Sequence, residues 1–222
     1  MSTQLEVIEL ESGKHPTASI IVLHGLGADG TDFVPIAQEL KLDPVGEVRY
    51  VFPHAPVMPV TINGGMAMRA WYDILGTEID RREDERGLRG SQAMVEALIE
   101  REIERGTEAS RIVLMGFSQG CAMTLMTGLR YGQRLAGLVG LSGYLPLAAV
   151  TEAERHSANR DTPIFLAHGS ADQVIPIARA TASRDALRAL GHPVEWHEYP
   201  MPHSVCAEEI VDLNRWLLQT LA

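Results

Sequence analysis

The chain has 222 residues, of which 45% are hydrophobic and 22% charged, and its formal net charge is −10. A chain of this length buries about 70% of its unfolded surface, so its core needs no metal or disulfide framework. The negative charge argues against nucleic acid as a partner, because a phosphate backbone requires clustered Lys and Arg. The length predicts one domain over residues 1–222 rather than two.

Short apolar runs alternate with helical patterns along the chain. The predicted strands cover residues 19–23, 48–52, 112–115, 138–141, 163–167 and 194–199. The predicted helices cover residues 33–40, 90–105, 121–129, 178–190 and 207–218. Several strand runs are apolar throughout, which is typical of parallel strands covered on both faces. The alternation predicts an α/β fold with a mostly parallel sheet, and in such a fold the reactive residues are expected in the turns that follow strands.

Two segments interrupt this alternation. Residues 78–86 are a dense run of mixed charge, which predicts a solvated loop. Residues 53–74 are rich in Pro, Gly and Met, and they are too irregular for one helix or strand. A loop of this length is often functional, so the segment is expected either to cover a substrate pocket or to pack on the core.

The cysteine content and the hydropathy of the chain indicate the cellular compartment in which the protein is expected. Cys121 and Cys206 are too few for a disulfide framework and form no Cys-x-x-Cys pair. The first 20 residues lack the basic and apolar regions of a secretory signal. No apolar run approaches the roughly 20 residues that span a bilayer. We therefore expect a cytoplasmic protein with free thiols and no stable membrane insertion.

A Gly-x-Ser-x-Gly turn follows the strand predicted at 112–115. Its sequence is Gly-Phe-Ser-Gln-Gly, with Ser118 at the apex and a helical pattern after it. A serine on such a turn takes a strained backbone conformation, and glycines on either side avoid collisions with adjoining elements. The following helix would place the Gln119 amide near a developing oxyanion. Ser118 is therefore a candidate nucleophile, with a plain tight turn as the alternative.

A serine nucleophile needs a base and a residue that orients the base. In this type of fold the order along the chain is Ser, then Asp or Glu, then His. Asp172 lies in the loop after the strand 163–167, and His203 lies in a Pro-flanked loop before the last helix. Both loops are expected at the sheet edge that carries Ser118. The alternatives fit less well by position; they are Asp161 for the acid and His156, His168, His192 and His197 for the base.

The first predicted strand ends in His-Gly-Leu-Gly, residues 24–27. The early strand–helix loop contributes the second oxyanion amide in this type of fold, which makes the Leu26 amide the candidate. His24 is expected to be a structural partner of the loop. The glycines lack nucleotide-binding spacing, no Gly-Lys-Ser/Thr occurs, and no zinc motif is present. No cofactor or metal is therefore expected.

These motifs together resemble those of the carboxylesterase and acyl-protein thioesterase family of α/β hydrolases. The resemblance runs from about residue 17 to residue 218 and rests on ordered motifs, namely LHGLGADG, WYDI, RIVLMGFSQG, LSGYLP, HGSADQVIP and PHSVCAEE. It implies an α/β-hydrolase fold with helices on both faces of the sheet and no large cap domain. It favours a bacterial carboxylesterase and makes a homodimer plausible. Many relatives have glycine where this chain has Cys121, which leaves the nucleophile untouched.

The family implies roles for particular residues. Ser118 would be the nucleophile, His203 the general base and acid, and Asp172 the residue that orients it. The amides of Leu26 and Gln119 would be the oxyanion donors. Around the acyl groove the resemblance places Trp71, Tyr144 and Val174, and the Met-rich loop suggests Met66 as a further wall residue.

The resulting hypothesis is a serine hydrolase that cleaves carboxylic esters of short to medium acyl chains, and thioesters as well, through an acyl-enzyme. Within the hydrolases, an acyl-protein thioesterase acting on acylated proteins and a lysophospholipase are alternatives. From another class, the alternative is a non-catalytic hydrolase-fold binding protein. The order of Ser118, Asp172 and His203 favours the enzyme, because a decayed enzyme usually loses one of the three.

Overall fold

A computed structural model describes residues 5–76 and 83–222. A seven-stranded sheet forms the centre of the molecule, with strands in the order β1-β3-β2-β6-β7-β8-β9. The strands are β1 (Val7–Glu11), β2 (Ala18–Leu23), β3 (Val48–Pro53), β6 (Ile112–Phe117), β7 (Gly137–Leu141), β8 (Ile164–Gly169) and β9 (Val194–Tyr199). Only β1 pairs in the antiparallel sense, and the other neighbours are parallel.

Helices cover both faces of this sheet, which confirms the predicted fold class. They are α1 (Val34–Glu39), α2 (Glu85–Glu104), α3 (Gln119–Arg130), α4 (Ala148–Glu154), α5 (Ile177–Ala189) and α6 (Ala207–Thr220). Alternate residues of the inner strands point to opposite faces. Along β6, Ile112 and Leu114 enter a core shared with α2, α3 and α5, while Val113 and Met115 enter a core shared with α1 and α6. Two apolar layers therefore hold the sheet.

Strand β1 has no counterpart among the strands expected from apolar runs. Its sequence, Val-Ile-Glu-Leu-Glu, alternates apolar and acidic side chains. Ile8 and Leu10 pack on the core, while Glu9 and Glu11 reach arginines nearby. An edge strand with one wet side shows this alternation instead of a continuous apolar run.

The segment 53–74 is more regular than its composition indicated. It contains an antiparallel hairpin of β4 (Val57–Val60) and β5 (Met66–Arg69), joined through a short 3₁₀ turn at Thr61–Asn63. Gly64 and Gly65 have φ of 66° and 79°, and glycine adopts such values without strain. Most apolar side chains of this hairpin are exposed. Its sequence therefore lacks the continuous apolar run that identifies the core strands.

The charged run 78–86 falls partly outside the described residues, which end at 76 and resume at 83. Within the described part, Glu83 forms an isolated bridge with Ile74, and α2 begins at Glu85, before the predicted start at residue 90. Asp84 caps α2 by accepting a hydrogen bond from the N–H of Gly87 at 2.9 Å. The same Asp84 carboxylate also accepts from the N–H of Asp73, which ties the helix start to the preceding loop. Within residues 5–76 and 83–222, no helix has the length and hydropathy needed to cross a bilayer.

Candidate active site

Ser118 stands between the end of β6 and the start of α3 in a strained conformation, with φ 56° and ψ −116°. Such backbone strain costs on the order of 1–3 kcal/mol and persists only where the surroundings enforce it. Here the Ser118 N–H donates to the carbonyl oxygen of Leu141 on β7 at 2.9 Å. The turn therefore holds the serine at the carboxyl end of the sheet and at the positive end of the α3 dipole.

The glycines of this turn are required by close backbone packing. A Cβ on Gly116 would lie 2.2 Å from the carbonyl carbon of Gly120. A Cβ on Gly120 would lie 2.0 Å from the carbonyl oxygen of Leu23 on β2. Any side chain at either position would push the turn away from its neighbours. The two glycines thus allow the tight elbow that carries Ser118.

Asp172 and His203 come together at the same sheet edge. Asp172 follows β8 and His203 follows β9, and Nδ1 of the imidazole lies 2.6 Å from Oδ2 of the carboxylate. The other oxygen, Oδ1, accepts from the N–H groups of Val174 at 2.8 Å and Ile175 at 2.9 Å. Because the Asp172 side chain is fully buried, these contacts fix its orientation. Donation from Nδ1 leaves Nε2 as the basic nitrogen of the neutral ring.

Two further histidines lie near the site with structural partners. His168 Nε2 is 2.8 Å from the carbonyl oxygen of Ile175 and 3.3 Å from Oδ2 of Asp172. His24 contacts the carbonyl oxygen of Gly25 through Nδ1, and its Nε2 accepts from the N–H of Ala55 at 3.0 Å. Burial lowers the pKa of both imidazoles. Both rings are therefore neutral at physiological pH and brace the loops around the site.

A cavity of about 430 Å³ brings Ser118 and His203 together. This volume falls within the range of small-molecule sites. Its wall consists of Gly25, Leu26, Ala28, Asp32, Ile62, Asn63, Tyr72, Ile74, Phe117, Ser118, Gln119, Tyr144, Val174, Ile175, Arg179 and His203. The ring of His203 also lies against Phe117, with centroids 4.7 Å apart. The cavity joins polar reactive groups with an apolar lining.

Leu26 and Gln119 both lie in this wall. The loop around Leu26 is held by the Gly27 N–H, which donates to the carbonyl oxygen of Arg69 at 2.9 Å. Within residues 5–76 and 83–222, neither the Leu26 nor the Gln119 N–H has an acceptor. Two unpaired amides beside a strained serine can bind a negatively charged oxygen.

Of the four residues expected around an acyl groove, two line the cavity and two do not. Tyr144 and Val174 are in the wall. Trp71 is 1% exposed and lies behind it, where its indole N–H donates to the carbonyl oxygen of His24 at 2.9 Å. Met66 is 64% exposed on β5 and is not part of the cavity wall. The structure thus corrects the expected positions of Trp71 and Met66: one is core and the other outer surface.

The side chain of Gln119 has a contact that the sequence did not reveal. Its Oε1 accepts from the backbone N–H of Trp71 at 2.9 Å, and its Nε2 donates to the carbonyl oxygen of Tyr72 at 2.8 Å. Gln119 is 3% exposed, so both bonds are sheltered from water. The elbow is thereby tied to the segment that supplies Tyr72 to the cavity. No local pattern signals a contact between residues 48 positions apart.

The sequence analysis placed Tyr144 at the groove but did not identify its two partners there, Tyr72 and Arg179, which also lie in the cavity wall. The two tyrosine hydroxyls lie 2.7 Å apart, and the guanidinium carbon of Arg179 lies 3.3 Å from the ring centroid of Tyr144. Burial raises the pKa of Tyr72 well above its ordinary value, so its hydroxyl is neutral. One feature of the sequence pointed to this group. Arg179 is a basic residue in the first turn of a helix, where the helix dipole disfavours a positive charge.

Cys121 lies under the elbow and is 1% exposed. A Cβ on Gly140 would be 2.7 Å from its Sγ, and a Cβ on Gly143 would be 2.5 Å from it. The thiol thus fills space that two glycines on and after β7 leave open. Burial raises the pKa of Cys121 to about 12, so the group is a neutral thiol at physiological pH.

A parallel sheet with a strained serine at a strand–helix elbow, and an Asp–His pair in two later loops at the same edge, defines an α/β hydrolase. The model of the phospholipase/carboxylesterase family matches residues 4–221. The chain therefore belongs to the phospholipase/carboxylesterase family, and it is a serine hydrolase of esters or thioesters.

The relatives agree with this assignment. Acyl-protein thioesterase 1 of Yarrowia lipolytica is 41% identical over 210 residues, which cover 92% of each chain. Among solved structures, Arabidopsis thaliana SOBER1 aligns with a TM-score of 0.87 at 31% identity, covering 92% of this chain and 99% of that one. Zea mays acyl-protein thioesterase 2 aligns with a TM-score of 0.85 at 29% identity, covering 98% and 99%.

Proposed function

We propose that this hydrolase acts through an acyl-enzyme formed on Ser118. The observation that carries the proposal is that Ser118, on its strained elbow, lines the same cavity as His203, whose Nδ1 is bonded to the buried Asp172. In this mechanism Ser118 Oγ attacks the substrate carbonyl carbon while His203 Nε2 accepts the hydroxyl proton. Asp172 holds the imidazole in the tautomer that leaves Nε2 free.

The tetrahedral oxygen would rest on the amides of Leu26 and Gln119. One such donor is typically worth about 10²–10³-fold in kcat. His203 then protonates the leaving group, which departs as an alcohol or a thiol, and the acyl group stays on Ser118. A water molecule then gives up a proton to His203 and attacks the acyl carbon. The bond from that carbon to Ser118 Oγ breaks, His203 returns the proton to Oγ, and the acid is released. No step requires a cofactor.

The proposed substrates are esters of short to medium acyl chains and acyl thioesters, including acylated proteins. The names of the relatives support acyl thioesters as substrates, because several relatives are acyl-protein thioesterases. Ile62, Ile74 and Val174 give the cavity apolar walls that suit an acyl chain. A lysophospholipase would use the same site. A panel of esters, thioesters and lysophospholipids of matched acyl length separates these substrates.

We further propose that the chain forms one domain, which the single sheet shared by both core layers supports. Residence in the cytoplasm is supported by the free thiols of Cys121 and Cys206, and fractionation of the source cells tests it. A homodimer rests on the family resemblance, and light scattering at several protein concentrations tests it.

A fluorophosphonate probe tests the nucleophile, because it modifies only an activated serine. We expect the wild type to be labelled and Ser118→Ala to be unlabelled. Ser110→Ala is the matched control, since Ser110 is an exposed serine outside the cavity. Labelling of Ser118→Ala at the wild-type rate would remove Ser118 from the mechanism. A folded wild type that neither reacts with the probe nor shows an acyl-enzyme burst would favour the non-catalytic binding protein.

A further inference from the structure

A basic side chain, Arg179, reaches the cavity. Among the described residues, Arg179 is the only Lys or Arg in the wall that also contains Ser118 and His203. It belongs to the first turn of α5, which begins two residues after Ile175. That turn contains no acidic residue. The cavity therefore has a positive side chain beside the positive end of a helix dipole.

The guanidinium is held in place by two tyrosines. It lies over the ring of Tyr144 at 3.3 Å, and the Tyr144 hydroxyl is fixed by the Tyr72 hydroxyl at 2.7 Å. A guanidinium stacked on an aromatic face keeps its edge N–H groups free for an acceptor in the same plane. This arrangement is suited to a carboxylate or phosphate oxygen, which binds Arg through two parallel hydrogen bonds.

Among the described residues, Arg179 has one ion pair, although Asp73, Glu83 and Asp84 border a smaller cavity beside it. Among residues 5–76 and 83–222, its nearest acid is Glu83, with Nη2 4.0 Å from Oε1. The other oxygen of Glu83 accepts from the N–H of Leu147 at 3.0 Å. Within the same described residues, the Arg179 guanidinium donates no hydrogen bond shorter than 3.5 Å. No described residue therefore uses the Arg179 donors at hydrogen-bond distance, and an anion that entered the cavity could accept from them.

Helix stability does not account for this side chain. A positive charge in the first turn of a helix opposes the dipole, typically by 0.3–1 kcal/mol at an exposed site. The Arg179 side chain is 29% exposed, so it is not a freely solvated surface charge either. A cation that is disfavoured by its own helix, stacked on a braced ring and directed to a reactive cavity is best explained by a ligand.

We propose that Arg179 makes this hydrolase selective for substrates that carry an anionic group in addition to the ester or thioester. The inference rests on the proposed function, since it assumes that hydrolysis occurs at Ser118. The apolar walls formed by Ile62, Ile74 and Val174 complete the match, because they suit an aliphatic segment. The anion belongs either to the far end of the acyl chain or to the leaving group, and its chemistry is the same in both cases.

Two matched pairs of substrates test the selectivity. In the first, the p-nitrophenyl monoester of a six-carbon dicarboxylic acid is compared with the same compound capped as a methyl ester at its far end. In the second, the hexanoyl ester of a phenol bearing a carboxylate is compared with that of a phenol bearing a carboxamide. Each pair differs by one charge, and the acyl chain has the same number of carbons in both members. We expect the anionic member of one pair to have the higher kcat/KM, and that pair identifies where the anion lies.

Variants assign the preference to Arg179. Arg179→Met should reduce the ratio of kcat/KM for the preferred anionic substrate to kcat/KM for its neutral partner by about 10- to 100-fold, which is the usual value of a charge-assisted hydrogen bond. Arg179→Lys should give a ratio between those of the wild type and Arg179→Met, because lysine keeps the charge but lacks the two parallel donors of the guanidinium. Arg184→Met is the control: it removes the same charge from the same helix, but Arg184 is outside the cavity and pairs with Asp185.

The outcomes separate the inference from the proposed function. The inference is overturned if Arg179→Met leaves unchanged the ratio of kcat/KM for the anionic substrate to kcat/KM for the neutral one. An equal loss of kcat/KM on both substrates is one such result, and it would make Arg179 structural. A wild type that prefers the neutral member of both pairs also overturns it while leaving the function at Ser118 intact. Absence of hydrolysis of every substrate by the wild type would instead contradict the proposed function. High salt should weaken the preference, because ions screen the partly exposed guanidinium.

Discussion

Nδ1 of His203 lies 2.6 Å from Oδ2 of Asp172, and Oδ1 of the same carboxylate accepts two backbone N–H groups. The carboxylate is thus oriented by its own loop before it orients the imidazole. This relationship joins the loops after β8 and β9.

Asp172→Asn should lower kcat by about 10³–10⁴-fold with little change in KM. The amide oxygen can still accept from the loop N–H groups, which leaves the amide NH₂ facing His203. An amide donor there forces the ring proton onto Nε2, which removes the base. Steady-state kinetics on a neutral activated ester measure the effect. Asp161→Asn is the control, since Asp161 is exposed and precedes β8 at the opposite edge, and equal losses in the two variants would contradict the prediction.

The Gln119 side chain should contribute to stability separately from its backbone amide. Gln119→Ala leaves the Trp71 N–H and the Tyr72 carbonyl unpaired, and each unpaired buried group costs about 1–3 kcal/mol. Gln119→Glu keeps an acceptor for Trp71 but faces a carboxylate toward the Tyr72 carbonyl. We expect both variants to unfold at lower urea concentration than the wild type. Wild-type stability in both variants would show that the two hydrogen bonds of the Gln119 side chain contribute nothing to the free energy of unfolding.

Cys121 should resist thiol reagents while the protein is folded. It is 1% exposed and its pKa is raised to about 12, whereas Cys206 is partly exposed at the start of α6. A brief treatment with iodoacetamide, followed by peptide mass spectrometry, should therefore modify Cys206 first. Denaturant should make Cys121 reactive. Modification of Cys121 in the native protein at the rate of Cys206 would contradict its burial.

Glu209 should make the protein less stable as the pH rises. Its side chain is 0% exposed, and neither carboxyl oxygen has a hydrogen-bond partner among the described residues. Burial raises the pKa of Glu209 from 4.5 to about 8, and the N–H of Cys206, whose geometry falls short of a hydrogen bond, offsets the shift only in part. Below pH 4.5 the carboxyl is protonated in both states and its stabilising contribution is complete. From there to about pH 8 only the unfolded chain ionises, so the free energy of unfolding falls.

Glu209→Gln removes this titration without changing the shape of the side chain. The variant should gain stability relative to the wild type as the pH is raised from about 5 to 8, by on the order of 2–5 kcal/mol. Urea unfolding of both proteins at several pH values measures the difference, and the other titrating groups cancel in it. A difference that is constant with pH would show that Glu209 is ionised in the folded protein.

Several features of the molecule could be predicted from sequence because they are local. Apolar runs identified the inner strands, since strands covered on both faces have no polar side. The glycines around Ser118 identified the elbow, because a side chain at Gly116 would collide with Gly120 within the turn itself. Strand β1 and the β4–β5 hairpin were missed, since the first alternates at an edge and the second exposes Val57 and Met66.

The sequence by itself determined the α/β layering, the elbow at Ser118, and the order of Asp172 and His203 after it. Each depends on periodicity, on steric limits in a short segment, or on chain order. Only the tertiary structure decided that Trp71 is core, that the Gln119 side chain braces the cavity wall, and that Arg179 stacks on Tyr144. These contacts join segments that are distant in the chain. The burial of a side chain and the charges around it depend on which segments the fold brings together, and no single segment encodes that.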